Sequence, residues 1–251
     1  MTDSARTVEL ADALSVVRSR LSAAASAVGR NVEDIEFLPV TKFFPASDVL
    51  ALYQLGCREF GESREQEAAA KVAEVAATLG DNNIGDDIRW HMIGRIQRNK
   101  ARAVAGWASV AHSVDSAALV AALGRGSVEA TERGLRNRPL QVYIQVSLDG
   151  DPARGGVWVD HPDDVDALCA AAATTEGLEF AGLMAIPPLG RDPDAQFARL
   201  RDELRRVQTH YPQRLGLSAG MSGDLETAVK YGSTCVRVGT ALMGPRPLTS
   251  P

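Results

Sequence analysis

The stretch Ile35-Glu-Phe-Leu-Pro-Val-Thr-Lys-Phe-Phe-Pro45 decides between two ways of folding a parallel sheet. Its first half, residues 35–40, is a short apolar run of the kind that forms a buried strand. An open, doubly wound sheet would have a glycine fingerprint directly after that first strand, but this chain has Thr41-Lys-Phe-Phe-Pro45 there. The stretch therefore favours a closed barrel, with its polar strand end facing the barrel mouth.

On both sides of that stretch, short apolar runs alternate with helical patterns. Alternation of this kind indicates a parallel sheet, and about eight such units in 251 residues fit a (β/α)8 barrel. We predict an α/β fold: a single TIM-type barrel domain over residues 1–251 with an extra N-terminal helix. The polar segment 81–87 and the segment leading up to Trp158 are predicted to be loops. The predicted strands are 35–40, 57–61, 88–94, 107–114, 140–146, 178–186, 215–218 and 235–238, preceded by a helix over 7–28.

The composition argues against several classes of function. The formal net charge is −5 and the pI is about 5.5, and without a dense basic run this argues against nucleic-acid binding. No apolar stretch is long enough to cross a bilayer, and the N-terminus lacks the basic-then-apolar order of a secretory signal. Cys57, Cys169 and Cys235 lack metal-ligand spacing. We expect buried thiols in a cytoplasmic protein.

Lys42 directly follows the first predicted strand, so its amine is expected at the barrel mouth, where the active groups of such barrels lie. A lysine at a strand end is usually an ordinary surface residue. Partial burial and a neighbouring cation such as Arg237 would lower the pKa of Lys42, because both disfavour its charged form. The neutral amine is the form that makes a Schiff base with an aldehyde.

Two segments of small residues follow the last two strands. Each resembles an ordinary helix cap, but unpaired N–H groups at helix starts also bind phosphate, and barrels frequently bind phosphate after strands seven and eight. The first segment, residues 218–224, leads into a helix predicted over 223–231, and the second, residues 238–241, opens a further short helix. The candidate phosphate contacts are Ser222, Gly223, Gly239 and Thr240. A ligand that is both an aldehyde and a phosphate ester is pyridoxal 5′-phosphate (PLP), so the sequence predicts a PLP site.

Arg237 lies in an otherwise apolar strand, so its guanidinium needs a partner inside the protein. One candidate is a strand-end acid such as Glu62. The other is the ring nitrogen of a ligand, which arginine would keep unprotonated because it can only donate hydrogen bonds.

Other polar or soft side chains are expected near the mouth. Met184 ends a predicted strand and could flank a flat ring, and Ser218 belongs to the polar ring of strand ends. His91 and His112 are expected to be hydrogen-bonded residues of the core or mouth, and neither is expected to be a catalytic base. No histidine pair has metal-ligand spacing, so no metal site is predicted.

These segments together resemble the YggS/PROSC family of PLP homeostasis proteins, which look like the barrel domain of alanine racemase, a fold-type III PLP barrel. The resemblance covers nearly the whole chain. The segments that carry it are Val40-Thr-Lys42, Phe60-Gly-Glu-Ser63, Trp90-His-Met-Ile-Gly94, 97–100, 182–187, Gly220-Met-Ser222 and 232–241.

The resemblance implies that Lys42 forms the Schiff base, that the four small residues at the last two helix starts hold the phosphate, and that Arg237 faces the pyridine nitrogen. The chain departs from the family pattern at two places. Ser63 stands where the family usually has asparagine, so the contact from that loop is expected to differ. Phe43-Phe44 stands where a polar residue such as threonine is usual, so the packing beside the ring is expected to differ as well.

Three functions are compatible with such a site. A carrier would bind and release PLP in intracellular homeostasis and pass it to PLP-dependent apo-enzymes, without a dedicated reaction. An amino-acid racemase needs a base on each face of the Cα carbon. The racemases resembled here bring a tyrosine from an additional domain, for which the end of this chain leaves no room. An aldolase using Lys42 is the third class.

The carrier is favoured over the other two. The tyrosines fall in predicted helices or a core strand, away from the mouth: Tyr53, Tyr143, Tyr211 and Tyr231. We expect a monomer that binds PLP, with amino acids and apo-enzymes as further partners.

Overall fold

The computed structural model describes residues 4–80 and 87–246. All but the last residue of the predicted loop 81–87 lies outside the described residues. The strands are β1 (Glu36–Pro39), β2 (Glu59–Glu62), β3 (Arg89–Met92), β4 (Val110–Val114), β5 (Leu140–Ser147), β6 (Val157–Trp158), β7 (Leu178–Met184), β8 (Gly216–Ser218) and β9 (Cys235–Val238). The helices are α1 (Ser4–Ala27), α2 (Ala46–Gln54), α3 (Glu65–Leu79), α4 (Ala101–Trp107), α5 (Ala117–Glu132), α6 (Pro162–Thr174), α7 (Pro193–Gln208), α8 (Leu225–Lys230) and α9 (Thr240–Met243).

Eight parallel strands form a closed barrel in the order β1-β9-β8-β7-β5-β4-β3-β2. The ring closes between β1 and β2 through a parallel bridge of Val40 with Gly61, where the Thr41 N–H also donates to the Gly61 carbonyl over 3.0 Å. A helix follows each of these strands, and α1 precedes the first. The predicted (β/α)8 barrel with an extra N-terminal helix is confirmed.

Several predicted boundaries were wrong. The segment before Trp158 contains β6, which pairs with the end of β5; two residues are too short to give a periodic signal. Trp107 ends α4, and β4 begins at Val110. Trp107 packs against apolar residues on both sides of that helix, which an apolar run in the sequence does not distinguish from a strand.

The extra helix α1 covers one side of the barrel. Leu10, Leu14, Val17 and Leu21 are buried on one face of it, at the spacing of an amphipathic helix. α1 packs against α2, α8 and α9. Its Arg20 donates to the Glu226 carboxylate over 2.8 Å and to the Ser222 carbonyl over 3.0 Å, so α1 helps to hold the loop before α8.

The barrel interior holds several polar side chains, while most of the apolar core lies in two clusters. His112 on β4 is hydrogen-bonded to Ser218 on β8, across the barrel. TIM-barrel interiors are usually filled by branched apolar residues, so a hydrogen-bonded histidine and serine in the interior are unusual. All three cysteines are buried free thiols, as predicted. Among the described helices, none combines the length and the apolar character that spanning a membrane requires.

Candidate functional site

Lys42 follows β1 at the carboxyl end of the barrel, where the sequence placed it. Its side chain is half-buried. The backbone just before it is fixed, because Thr41 is tied to β2 through its N–H and through its hydroxyl, which donates to Glu62 over 2.8 Å. Lys42 therefore leaves the barrel from a rigid strand end.

Glu62 is the centre of a buried cluster beneath that strand end. It is 1 % exposed and accepts a hydrogen bond from the Lys71 ammonium over 2.6 Å. Lys71, on α3, also donates to the Thr41 carbonyl over 2.9 Å. Burial raises the pKa of Glu62, and the charge of Lys71 acts against that rise. The cluster thus fixes the residue directly before Lys42.

Sequence reasoning missed Lys71, although a signal was present. The buried residues of α3 are Ala68, Lys71 and Val75, spaced as one face of a helix. A lysine on the apolar stripe of an Ala-rich helix indicates a buried partner, which here is Glu62.

Lys42 differs from the other three lysines of the chain in having no carboxylate partner among the described residues. Lys71 pairs with Glu62, Lys100 with Glu65 over 3.3 Å and Lys230 with Asp194 over 2.5 Å. The pKa of Lys42 is lowered, chiefly by burial and then by the charges of Arg237 and Arg246, with Glu62 acting in the opposite direction. These are the conditions under which a lysine amine becomes neutral and nucleophilic.

Phe43 lies beside this amine in an unusual backbone conformation. Its φ is 70°, the one positive φ of a non-glycine residue in the described chain. The ring is surrounded by cations: the Arg246 guanidinium carbon lies 3.8 Å from its centroid, that of Arg64 5.3 Å and the Lys42 Nζ 5.7 Å. Neither Arg64 nor Arg246 was singled out from the sequence. Together they make the mouth electropositive.

Arg237 is 5 % exposed, and among the described residues it forms no ion pair with Glu62, so the first of its two candidate partners is excluded. Its Nη1 donates to the Ser218 carbonyl over 2.7 Å and to the Ser218 hydroxyl over 2.6 Å, and its Nη2 donates to the Ala185 carbonyl over 3.0 Å. Glu62 is already neutralised by Lys71. Burial lowers the pKa of Arg237, although a guanidinium keeps its charge in proteins. The cation is thus held by neutral oxygens.

The loop before α8 and the start of α9 meet at one place. The helix predicted over 223–231 is shorter, Leu225–Lys230, and its N-cap is Asp224, two residues after Ser222. Ser222 instead accepts, through its hydroxyl, the Ala241 N–H of α9 over 3.1 Å. The space beside Gly223 is open, since a Cβ added there would meet nothing within 4 Å.

This junction presents several free donors. At this junction, four backbone N–H groups donate to no acceptor among the described residues: those of Ser222, Gly223, Gly239 and Thr240. All four residues are at least partly exposed. Converging free N–H groups make an anion site, and these are the residues that the sequence singled out for phosphate.

Two further predicted residues lie at the mouth with less to define them. Met184 ends β7, pairs with Ser218 and is 1 % exposed, yet belongs to neither apolar cluster, which places it inside the barrel. Ser63 follows β2 and is half-buried, and its carbonyl sits where a Cβ on Gly94 would come within 2.0 Å. No polar contact of the Ser63 hydroxyl is present among the described residues.

One group of possible metal ligands was not foreseen: Glu36, Glu59 and His91, whose ligand atoms all lie within 4.8 Å of one another. Arg89 lies among them, 2.9 Å from Glu59 and 3.8 Å from Glu36. The positive charge of Arg89 already compensates these carboxylates.

Comparison with known proteins gives consistent matches. Residues 16–247 match the family model "Alanine racemase, N-terminal domain". A pyridoxal phosphate homeostasis protein of Mycobacterium bovis is 59 % identical over 248 residues, which cover 98 % of this chain and 96 % of the relative. PipY of Synechococcus elongatus, a structure with PLP bound, is 34 % identical with a TM-score of 0.77 over 94 % of this chain and 100 % of that chain.

A more distant match shows the fold alone. Alanine racemase from Corynebacterium glutamicum is 16 % identical with a TM-score of 0.64, over 94 % of this chain and 60 % of that chain.

Proposed function

Because this chain belongs to the YggS/PROSC family of pyridoxal phosphate homeostasis proteins, we propose that it binds PLP at the barrel mouth and acts in PLP homeostasis. When bound, PLP supplies an aldehyde that condenses with a neutral primary amine, with loss of water. Lys42 provides that amine. The observation that carries the proposal is that Lys42, alone of the four lysines, has no carboxylate partner within the described part of the chain and has a lowered pKa at a strand end facing the mouth.

The free N–H groups of Ser222, Gly223, Gly239 and Thr240 hold the phosphate. Two features support this assignment: the four donors meet at one junction, and the open space beside Gly223 allows an anion to approach the backbone. The electropositive mouth adds long-range attraction for a phosphate ester.

Arg237 lies beside the pyridine nitrogen as a donor. Arginine cannot accept the proton, so it keeps the ring nitrogen unprotonated and the ring a weak electron sink. That property suits holding the cofactor better than carbanion chemistry. Met184 and Ser218 line the ring from inside the barrel, and Ser63 flanks it from the loop after β2.

The carrier is supported over the racemase by the tyrosines. Tyr143 is stacked on His112 inside the barrel, and burial raises the pKa of Tyr143 far above its ordinary value. The hydroxyls of Tyr53 and Tyr231 are bonded to Asp87 and Asp194. A group so engaged is a poor proton acceptor for the second face of an amino acid. On this proposal PLP-dependent apo-enzymes receive the cofactor, and the protein acts as a monomer.

The test is chemical. Protein mixed with PLP should gain a visible absorbance band, and borohydride should fix the cofactor on one lysine-containing peptide. With four lysines in the chain, peptide mapping gives an unambiguous answer. We expect the label on Lys42, its loss in Lys42→Ala, and its retention in Lys230→Ala, which removes an exposed, paired lysine.

Label on Lys71, Lys100 or Lys230, or no uptake of PLP, would refute the assignment. Incubation of the loaded protein with L-alanine separates the carrier from the racemase: optical purity should persist, and rapid loss of it would favour the enzyme.

A further inference from the structure

A continuous series of hydrogen bonds crosses the barrel interior from Arg237 to Glu59. Arg237 Nη1 is 2.6 Å from Ser218 Oγ, which is 2.8 Å from His112 Nδ1. His112 Nε2 is 2.9 Å from His91 Nδ1, and His91 Nε2 is 2.6 Å from Glu59 Oε2. The step from β4 to β8 joins strands that are not neighbours, so the series runs through the middle of the barrel.

The two ends of the series are in different surroundings. The side chains of Glu59 and Arg89 at the amino-terminal end are 22 % and 39 % exposed. His91, His112 and Ser218 are exposed by 1 % or less. The series therefore links a carboxylate that reaches solvent with a guanidinium at the opposite, cofactor-binding end, entirely through buried groups.

With both imidazoles neutral, one order of donors and acceptors gives every proton in the series an acceptor. The Glu59 carboxylate only accepts, so His91 Nε2 carries a proton and its Nδ1 accepts from His112 Nε2–H. His112 Nδ1 then accepts from the Ser218 hydroxyl, whose oxygen accepts from Arg237. All donors point toward Glu59, and both imidazoles are neutral.

The opposite order would leave a proton of the series without an acceptor. If His91 Nδ1 donated instead, His112 Nε2 would become an acceptor and His112 Nδ1 a donor to Ser218. The Ser218 oxygen would then receive two protons, from His112 and Arg237, and its own hydroxyl would lose its acceptor. The hydrogen bond between Ser218 and Arg237 therefore depends on the order that begins at Glu59.

The charged and titratable groups facing the two histidines come from six strands. Burial is the largest cause that lowers the pKa of His112 well below its ordinary value, and the charges of Arg237 and Arg89 add to it. Glu36 on β1 lies 3.7 Å from His91, and Glu59 on β2 and Arg89 on β3 lie beside it. Tyr143 on β5 is stacked on His112, and Ser218 on β8 is hydrogen-bonded to His112. On β9, Cys235 donates to Glu36 over 3.0 Å and Arg237 donates to Ser218.

We propose that Glu59, His91, His112 and Ser218 are positioning residues that form a one-directional hydrogen-bond relay, which orients the Arg237 guanidinium and couples the Glu59 carboxylate to the cofactor site. The part that concerns the cofactor rests on the proposed function. The direction of the relay does not, because it follows from the protein groups alone.

The direction is tested by NMR of protein labelled with 15N-histidine, without added PLP, at pH 7. The chain has four histidines, and His161 and His210 are exposed and serve as internal references. We expect both buried histidines to be neutral with the proton on Nε2. A proton on Nδ1, or an imidazolium, at either His91 or His112 would overturn the relay.

Transmission is tested with Glu59→Gln, whose amide oxygen can still accept from His91 but carries no charge. Glu179→Gln is the matched control, because Glu179 lies at the same end of the barrel and bonds to Gln141, not to a histidine. In PLP-loaded protein, the pH midpoint of the visible band should shift in Glu59→Gln and stay at the wild-type value in Glu179→Gln.

Equal midpoints in the wild type and Glu59→Gln would overturn transmission, and equal shifts in both variants would mean a general charge effect and would overturn it too. Failure to bind PLP would sink the proposed function, and with it transmission to the cofactor, while the histidine tautomers would still decide the relay itself.

Discussion

Replacing Glu62 by leucine should destabilise the fold strongly, because it leaves the Lys71 ammonium buried without its carboxylate. Glu62 and Lys71 are 1 % and 9 % exposed and 2.6 Å apart. Removing one partner of a buried pair costs about 3–5 kcal/mol. Lys71 keeps its bond to the Thr41 carbonyl, so the low end, about 3 kcal/mol, is expected. For a protein of this size that lowers Tm by about 6–12 °C.

The converse change, Lys71→Met, should cost less and depend on pH. Burial already raises the pKa of Glu62 above its ordinary value of 4.5, and Lys71 opposes that rise. Without Lys71 the pKa rises further, so the folded state binds the proton more tightly than the unfolded chain does. That contribution is fully present below pH 4.5 and is lost as pH rises through the folded-state pKa. Lys71→Met should therefore lose stability relative to wild type between pH 5 and pH 8.

Urea unfolding followed by circular dichroism at pH 5 and pH 8 measures both effects. The double variant Glu62→Leu/Lys71→Met is the control, because apolar residues that replace a whole buried pair are often tolerated. It should recover most of the loss of Glu62→Leu. A Glu62→Leu protein within about 1 kcal/mol of wild type would show that the pair contributes no more than a surface ion pair, and the reasoning about the Lys42 strand end would fail.

Two further outcomes test the site. Arg246→Gln should raise the pKa of Lys42 toward its ordinary value, since Arg246 is one of the charges that lower it. PLP uptake measured by stopped-flow absorbance at pH 7.5 should therefore slow and should recover at higher pH, whereas an unchanged pH profile would exclude this role of Arg246. Gly220→Ala should lower the free energy of unfolding in urea by about 2–3 kcal/mol, because Gly220 has φ +94° and an added Cβ would lie 2.4 Å from the Ala228 Cβ. Gly223→Ala, where the space is open, should keep wild-type stability and bind PLP more weakly. Equal stabilities of the two variants would contradict the packing argument.

The barrel could be predicted because each strand is a short apolar run followed by a helical pattern. Strand β5, Leu140–Ser147, shows this most clearly, with buried and half-buried residues in alternation. The same signal failed for β6, because two residues are too few to show a period. It also failed for Trp107, the last residue of α4, because a partly buried apolar residue there looks in sequence like the start of the next strand. What local patterns do not contain is the pairing of residues far apart along the chain.

Long-range pairing also explains why Glu62, one of the two candidate partners of Arg237, is excluded. Glu62 and Arg237 both end strands, and opposite charges in one ring of strand ends suggest an ion pair. The register instead sets β9 beside β8, so Ser218 is within 2.6 Å of the guanidinium, and α3 brings Lys71 to Glu62. The Lys42 position itself needed no register, because it follows from where β1 ends.

The distribution of charge around the mouth distinguishes Lys42 from the other three lysines. Arg237 is bonded to neutral oxygens, and the Glu62 carboxylate is bonded to Lys71. The Glu62 carboxylate is therefore not free to hold the Lys42 ammonium. Two uncompensated cations near one half-buried amine favour its neutral form. A phosphate site made of backbone N–H groups needs no cationic side chain, so it adds no further positive charge near Lys42. The site can therefore attract an anion through its field and still present a neutral nucleophile, which is what reversible capture of an aldehyde phosphate requires.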